Sequence, residues 1–483
     1  MSLSEYIFRG CVFLYGFLYG TATLVFFTWR YYFDDGKLPG NETEQKKLLQ
    51  GAQHKIWSLE DTDALPGLRH NFLTLANGLK IHYVSNIRQT PARRLIVFVH
   101  GFPDSWHIYY RFLKSQPLQA SDAQLVAIDL PGYGGSDDLS HYGPNEVLNA
   151  VAEGIKHLKV LYLGDNKPFC VLVGHDWGGF ISLRIAAETQ GLIDRLVAIN
   201  IGHMPVIKHN ASLAAKRCND HLVAWSRNPL KFSNTTAAWR MLAPLRTQLL
   251  MSCYIFEFNL PLWLLGGIWL RSMKFILDNV HGVVHHRPAN GSSPDDGLAH
   301  LVAESRAASF GPSSAECPIH SDKTMTYGSS VLARSFTEYP GDWLQRVRLY
   351  RNGLSTGKWT LGAELQPYKP SAGSDWQNFE CPVTVIFGLK DHALDPQIVL
   401  DGHERHFHGR AAISESSESL KADASHIVRL KNCAHWSLLE DTGAQAVERT
   451  LLWALQERSS SSGGLEEALQ RVSANEVIVE TYV

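Results

Sequence analysis

Short apolar runs separated by longer mixed stretches dominate the middle of the chain. Leu95-Ile96-Val97-Phe98-Val99, Leu125-Val126-Ala127-Ile128, Phe169-Cys170-Val171-Leu172-Val173 and Arg195-Leu196-Val197-Ala198-Ile199-Asn200 each hold several consecutive apolar residues. Runs of this kind, without alternation, predict strands buried on both faces of a parallel sheet. Leu79-Lys80-Ile81-His82-Tyr83-Val84 alternates instead, as a half-exposed strand does. The pattern stops after Asn200 and resumes at Val383-Thr384-Val385-Ile386-Phe387 and His426-Ile427-Val428-Arg429-Leu430. Between the two blocks, 204–376 is rich in Trp, Leu and Tyr and reads as helical. The expectation is an α/β sheet with a large helical insertion between two of its strands. Within the insertion, 281–327 contains turn-forming segments such as Asn290-Gly291-Ser292-Ser293-Pro294 and is expected to be a mobile loop.

The first thirty residues follow a different pattern. Gly10 to Trp29 carries no charge and is bracketed by Arg9 and Arg30, with Tyr6, Trp29, Tyr31 and Tyr32 near the ends. As a helix this run is about 30 Å long, the thickness of a bilayer's hydrocarbon, and its flanking aromatics suit the interface. An uncleaved single-pass anchor is expected. Arg30, Lys37, Lys46 and Lys47 follow the helix whereas Arg9 stands alone before it, which places the rest of the chain in the cytosol. The expected organisation is an anchor (1–32), a juxtamembrane linker (33–69), a core in two parts (70–203 and 377–457), the inserted lid (204–376) and a flexible tail (458–483).

Composition narrows the choices a little further. A net charge of -2 over 483 residues argues against nucleic acid as the main partner, because no excess of cations exists to neutralise phosphates. The seven cysteines form no C-x-x-C pair, so neither a zinc site nor a disulfide framework is indicated. His403, His406 and His408 lack the helical i, i+4 spacing of a metal site and read as a solvated loop.

Candidate chemistry centres on Gly174-His175-Asp176-Trp177-Gly178, between an apolar run and the helical Phe180-Ile181-Ser182-Leu183-Arg184-Ile185-Ala186. A G-x-nucleophile-x-G step from strand to helix is a nucleophile elbow, whose glycines allow a sharp turn that pushes one side chain outward. Here that side chain is a carboxylate, suited to displacement at an sp3 carbon with formation of an alkyl ester. A plain N-capping aspartate is the competing reading.

Together with His100-Gly101-Phe102-Pro103-Asp104-Ser105-Trp106, Asp129-Leu130-Pro131-Gly132-Tyr133-Gly134-Gly135-Ser136-Asp137 and His435-Trp436, the elbow resembles the epoxide hydrolase branch of the α/β-hydrolase family. The resemblance spans roughly His70 to Leu455. It implies a mostly parallel eight-stranded sheet flanked by helices, with a helical lid inserted between core strands. It also implies conversion of an epoxide and water to a vicinal diol without a cofactor or a metal. Asp176 would be the nucleophile, His435 the base that activates water, and Asp391 the acid that orients it, with Asp395 as the alternative acid. Backbone N–H groups of Phe102 and Trp177 would form the oxyanion hole. Tyr254 and Tyr350, in segments similar to the family's lid motifs, would donate protons to the opening ring, and Trp106 and Trp177 would contact substrate. An apolar epoxide drawn from the bilayer and residence in the endoplasmic reticulum are the corresponding expectations. A haloalkane dehalogenase using the same Asp/His/Asp set and a non-catalytic membrane scaffold are the alternatives. The final Glu480-Thr481-Tyr482-Val483 resembles a peptide for a PDZ-type partner.

Overall fold

A computed structural model describes residues 3–33, 42–57, 65–88, 90–163, 169–261, 346–370, 378–407, 424–456, 464–472 and 475–482, with short pieces between 268 and 309. Every short apolar run expected to be a strand is one. β1 (Leu68–Thr74), β2 (Lys80–Asn86), β3 (Arg94–Val99), β4 (Ala123–Ile128), β5 (Phe169–His175), β6 (Arg195–Ile199), β7 (Val383–Gly388), β8 (Ser425–Leu430) and β9 (Val477–Tyr482) form one sheet in the order β1-β2-β4-β3-β5-β6-β7-β8-β9. The centre from β4 to β8 is parallel, and the antiparallel partners lie at the two ends. Alternate side chains of the central strands enter two separate apolar cores. Val97, Leu172, Leu196 and Val385 face one, whereas Phe98, Val171, Val197 and Ile386 face the other. Burial on both faces is why these strands carry no polar alternation.

Nine strands replace the expected eight, because the end of the chain is not a flexible tail. β9 pairs antiparallel with β8, Arg429 donates to Glu480 at 2.9 Å, and a short helix, Leu465–Leu469, tucks both its leucines into the core. The peptide expected to add to a PDZ-type partner is thus engaged with its own sheet through Tyr482, and Val483 lies outside the described residues.

Register sets the site. Val99 lies level with Gly174, His175 with Ile199, Ile199 with Ile386, and Gly388 with Leu430. The carboxyl ends of β3, β5, β6, β7 and β8 therefore open on one rim, followed in turn by Phe102, Asp176, Asn200, Asp391 and His435. From β3 the chain crosses first to β4 on one side and then to β5 on the other. That switch point leaves a crevice beyond the strand ends, where ligands bind in open α/β sheets.

The insertion after β6 is helical where described: Met204–Arg227, Ser233–Met241, Ala243–Met251, Cys253–Phe258 and, on its return, Arg348–Arg351. Arg351 joins its two limbs by donating to the carbonyl of Leu260 at 2.9 Å and to that of Phe258. Most of 281–327, and all of 408–423, lies outside the described residues.

Helix α1 (Leu3–Phe33) contains one apolar stretch, Gly10–Phe33, long enough to cross a bilayer. A second helix, α2 (Glu42–Trp57), occupies part of the expected linker and docks through Trp57. That indole is fully buried and donates to the carbonyl of Ala307 at 2.7 Å. Replacing Trp57 with Ala removes a large core side chain and leaves a cavity, a change that costs about 3–5 kcal/mol. The unfolding free energy of Trp57→Ala, from denaturant titration, is expected to fall by that amount; a loss under about 1 kcal/mol would mean α2 is a loose attachment.

Candidate active site

At the end of β5 the backbone of Asp176 takes φ 52° and ψ -124°, then enters the helix Trp177–Glu188. A non-glycine residue at positive φ is strained, typically by about 1–3 kcal/mol, and must be held there by its surroundings. The turn needs glycine beside it: a Cβ on Gly178 would lie 2.1 Å from the carbonyl oxygen of Val99. Asp176 makes no capping bond to the helix it precedes. The N-cap reading is excluded, and the carboxylate points outward into the crevice.

Its two oxygens have different partners. The backbone N–H of Phe102 donates to Oδ1 at 2.8 Å, and His435 Nε2 lies 3.5 Å from Oδ2. The other ring nitrogen of His435, Nδ1, is 2.8 Å from Asp391 Oδ2. Asp391 is fixed in turn by N–H donors from Ala393 and Leu394 on Oδ1, at 2.7 and 2.9 Å, and by the Asn200 amide on Oδ2 at 2.9 Å. One imidazole is thus held between two carboxylates. Burial disfavours its charged form, but Asp391 and Asp176 outweigh that and hold the His435 pKa up at about 10. Burial alone would raise Asp391; His435 and Asn200 bring it below the ordinary carboxylate range. Asp395 is not part of this set, since its carboxylate caps the helix Pro396–Val399 by accepting from Gln397 at 2.9 Å.

The lid supplies an aromatic roof. The Phe102 ring meets Tyr350 edge-on with centroids 5.4 Å apart, and Tyr350 in turn meets Trp177 at 4.9 Å and Tyr254 at 6.0 Å. Burial raises both tyrosine pKa values, and the Asp176 charge raises both further, so each phenol stays protonated and senses that carboxylate. Trp177 follows Asp176 at the start of the helix, and of the two backbone N–H groups expected to form an oxyanion hole, that of Phe102 donates to the Asp176 carboxylate.

Two expectations fail. Trp106 does not line the crevice. Its ring is fully buried in the opposite core, edge-on to Trp57 with centroids 6.3 Å apart, and its backbone N–H donates to Asp129 at 2.7 Å. Its strand-end motif turns this side chain beneath the sheet while Phe102 stays above it. His403 is not in a solvated loop either: it is buried and accepts the His203 N–H at 3.1 Å, and burial brings its pKa down to about 3.

Three residues near the centre were not anticipated. Asn200, also at positive φ (45°), positions Asp391 and accepts from Ser437 at 2.6 Å. Its place just after β6, level with the other strand ends, was the available signal. Asp104 is buried, accepts from the Trp436 indole at 3.0 Å, and is pushed up to about 7 by burial. His175 lies 2.9 Å from the His435 carbonyl oxygen through Nε2 and fixes the backbone of the base.

The fold and this site are those of an α/β hydrolase. The family model described as "Alpha/beta hydrolase family" matches residues 96–449, well over half the chain, and the protein belongs to that family. Among curated relatives it is similar to "Epoxide hydrolase 4" of Mus musculus, 35% identical over 142 residues covering 28% of this chain and 37% of that protein. It is likewise similar to "Epoxide hydrolase 3" of Xenopus tropicalis, 30% identical over 157 residues, 31% of this chain and 40% of that protein. The chain thus spans less than half the length of these relatives. A crystal structure of an epoxide hydrolase from Vigna radiata aligns at a TM-score of 0.44 with 17% identity, over 80% of this chain and 96% of the other.

The raised His435 pKa links protonation to stability. A pKa lifted from 6.5 to about 10 on folding adds stability that is complete below 6.5 and is lost as pH climbs through about 10. The thermal-midpoint gap between the native chain and His435→Gln should therefore narrow as pH rises across that window. A gap constant with pH would mean that the imidazole is neutral in the folded state.

Proposed function

We propose that this protein is an epoxide hydrolase acting on apolar epoxides, with Asp176 as nucleophile. The observation that carries the reading is the imidazole of His435 held between Asp176 and Asp391 beneath two neutral tyrosines. In the first half-reaction the Asp176 carboxylate forms a C–O bond to an epoxide carbon as the ring C–O bond breaks. The released alkoxide takes a proton from Tyr254 or Tyr350. Phenols suit this task because they are neutral donors at physiological pH.

Alkylation also changes the electrostatics. The ester is neutral, so His435 loses one of the two charges that favour its proton. Its pKa falls, the imidazolium proton leaves to restore the tyrosine, and the ring becomes a base only after the ester exists. His435 then takes a proton from water, whose oxygen adds to the Asp176 carbonyl carbon. The Phe102 N–H, joined by that of Trp177 at the start of its helix, stabilises the resulting oxyanion. Collapse breaks the ester C–O bond, the departing alkoxide takes the proton from His435 to complete the diol, and the carboxylic acid left at Asp176 passes its own proton to His435, which restores the carboxylate and the imidazolium. Asp391 holds the imidazole orientation and its charge throughout.

The two tyrosines favour this reading over dehalogenation, which would give a proton donor nothing to do. Further parts of the proposal are anchorage through α1, residence in the endoplasmic reticulum and a catalytic unit facing the cytosol. They are supported by the cations that follow the helix.

A single turnover in heavy-oxygen water with enzyme in excess should place the label in the Asp176 side chain, read by mass spectrometry of its peptide. Label found only in the diol rules out the ester. Independently, Tyr254→Phe combined with Tyr350→Phe should slow ring opening by about 10²–10⁴-fold with the thermal midpoint little changed. An undiminished rate removes both phenols from the reaction.

A further inference from the structure

The anchor helix is not a free tether. A Cβ on Gly20 would lie 2.6 Å from the carbonyl oxygen of Phe256, so α1 and the lid helix Cys253–Phe258 meet backbone to backbone. Tyr19 donates to the Leu249 carbonyl at 3.0 Å, the Tyr19 ring meets Phe256 with centroids 5.0 Å apart, and Phe27 meets Phe275 at 5.5 Å. Contacts thus follow one face of α1 from Gly16 to Phe27. The opposite face leaves Leu18, Val25 and Trp29 exposed. Wherever lipid covers that face, it also reaches the lid alongside it.

The lid has a surface to match. Leu230 is 86% exposed, Leu250 70%, Phe232 68% and Trp239 61%, while Ile268, whose carbonyl accepts from the Thr28 hydroxyl, is exposed as well. Leu250 directly follows the Leu249 that anchors Tyr19, so this apolar surface continues that of α1. The charges around it have one sign. From Met204 to Met251 the chain has seven Lys and Arg, among them Arg227, Lys231, Arg240 and Arg246, against Asp220 alone. Over the whole chain, 45 basic residues face 47 acidic ones, so the excess is local. Arg246 stacks on the exposed Trp239 ring with 3.7 Å to its centroid, pairing a cation with an interfacial aromatic. Apolar anchors among Lys and Arg are what seats a protein surface in the headgroup layer of an anionic membrane.

We propose that the lid face carrying Leu230, Phe232, Trp239 and Leu250 is a lipid-contacting surface continuous with α1. The catalytic unit then lies lid-down on an anionic bilayer, and lipid-soluble substrate passes to the crevice beneath the lid without crossing water. The proposal rests on the reading of α1 as a membrane anchor, and the test separates the two.

Nitroxide labels would be placed at cysteines introduced one at a time at 14, 161, 230, 232, 239 and 250, in a full chain with Cys11, Cys253 and Cys317 replaced by Ser and the four buried cysteines retained. The protein is reconstituted in vesicles of phosphatidylcholine with phosphatidylserine, and collision with oxygen and with a water-soluble nickel chelate is measured. Labels at 230, 232, 239 and 250 should lose nickel access and gain oxygen access, as the label at 14 on α1 does. The label at 161, on an exposed leucine of the core helix Pro144–Leu163, should stay fully open to nickel. Aqueous accessibility at all four lid sites, with 14 in lipid, overturns the proposal and leaves α1 a simple tether. Aqueous accessibility at 14 as well removes the anchor reading with it. Spin–spin broadening with low access to both reagents would mean that a second copy covers the lid, which also overturns the proposal.

Discussion

One imidazole between two carboxylates is the constraint from which the rest of the site follows. Both acids draw a proton onto His435, yet only Asp391 is saturated with donors and closed to solvent. Asp176 has the Phe102 N–H on one oxygen and the imidazole near the other, and its side chain is 14% exposed where that of Asp391 is fully covered. The acid with every oxygen occupied is held fixed, and the other keeps part of its surface open. Holding Asp176 in that pose strains its backbone, and the surrounding sheet offsets the strain through the close packing of Gly178 on Val99.

The second constraint is that the roof comes from two distant parts of the chain. Tyr254 and Tyr350 sit on opposite limbs of the insertion, and Arg351 ties those limbs together through the carbonyls of Phe258 and Leu260. The core holds the returning limb as well. Tyr133 donates to the Arg346 carbonyl at 2.7 Å, and buried Arg184 on the elbow helix donates to Leu354 and Gly357 at 3.0 Å each. The returning limb with Tyr350 is therefore held by the helix that Asp176 precedes, and Arg351 ties the limb with Tyr254 to it, so both phenols share one frame with that carboxylate.

The central strands were legible because burial on both faces leaves an unmistakable apolar run, and their ends gave Asp176, Asp391 and His435 directly. β1 and β9 escaped because edge strands keep mixed, half-exposed side chains: Leu68–Thr74 includes Arg69, His70 and Asn71, and Val477–Tyr482 includes Glu480 and Thr481. Such patterns match loops as well as strands. Trp106 was misplaced for another reason. Residues following a strand end can enter either core, and sequence spacing does not say which; its neighbour Trp57 on α2 is separated from it by three strands of chain. Asn200 went unnoticed because an amide carries no charge to mark it, although its position after β6 matched the other three. The contact between α1 and the lid was invisible, since a hydrophobic helix reads the same whether lipid or protein covers it.

That contact ties the anchor to the chemistry through a very short element. Cys253–Phe258 is six residues long, too short to persist without tertiary support on both sides. Phe256 meets α1 at Tyr15, Tyr19 and Gly20, while Tyr254 and Phe258 meet Tyr350. The same turn of helix is gripped from outside by the anchor and from inside by the site. Without α1 the outer side of that turn would lose its packing, and Tyr254 would depend on the inner contacts alone. The N-terminal helix is therefore part of the roof as well as a long apolar element, and whatever covers its outer face also bears on the position of Tyr254 over Asp176.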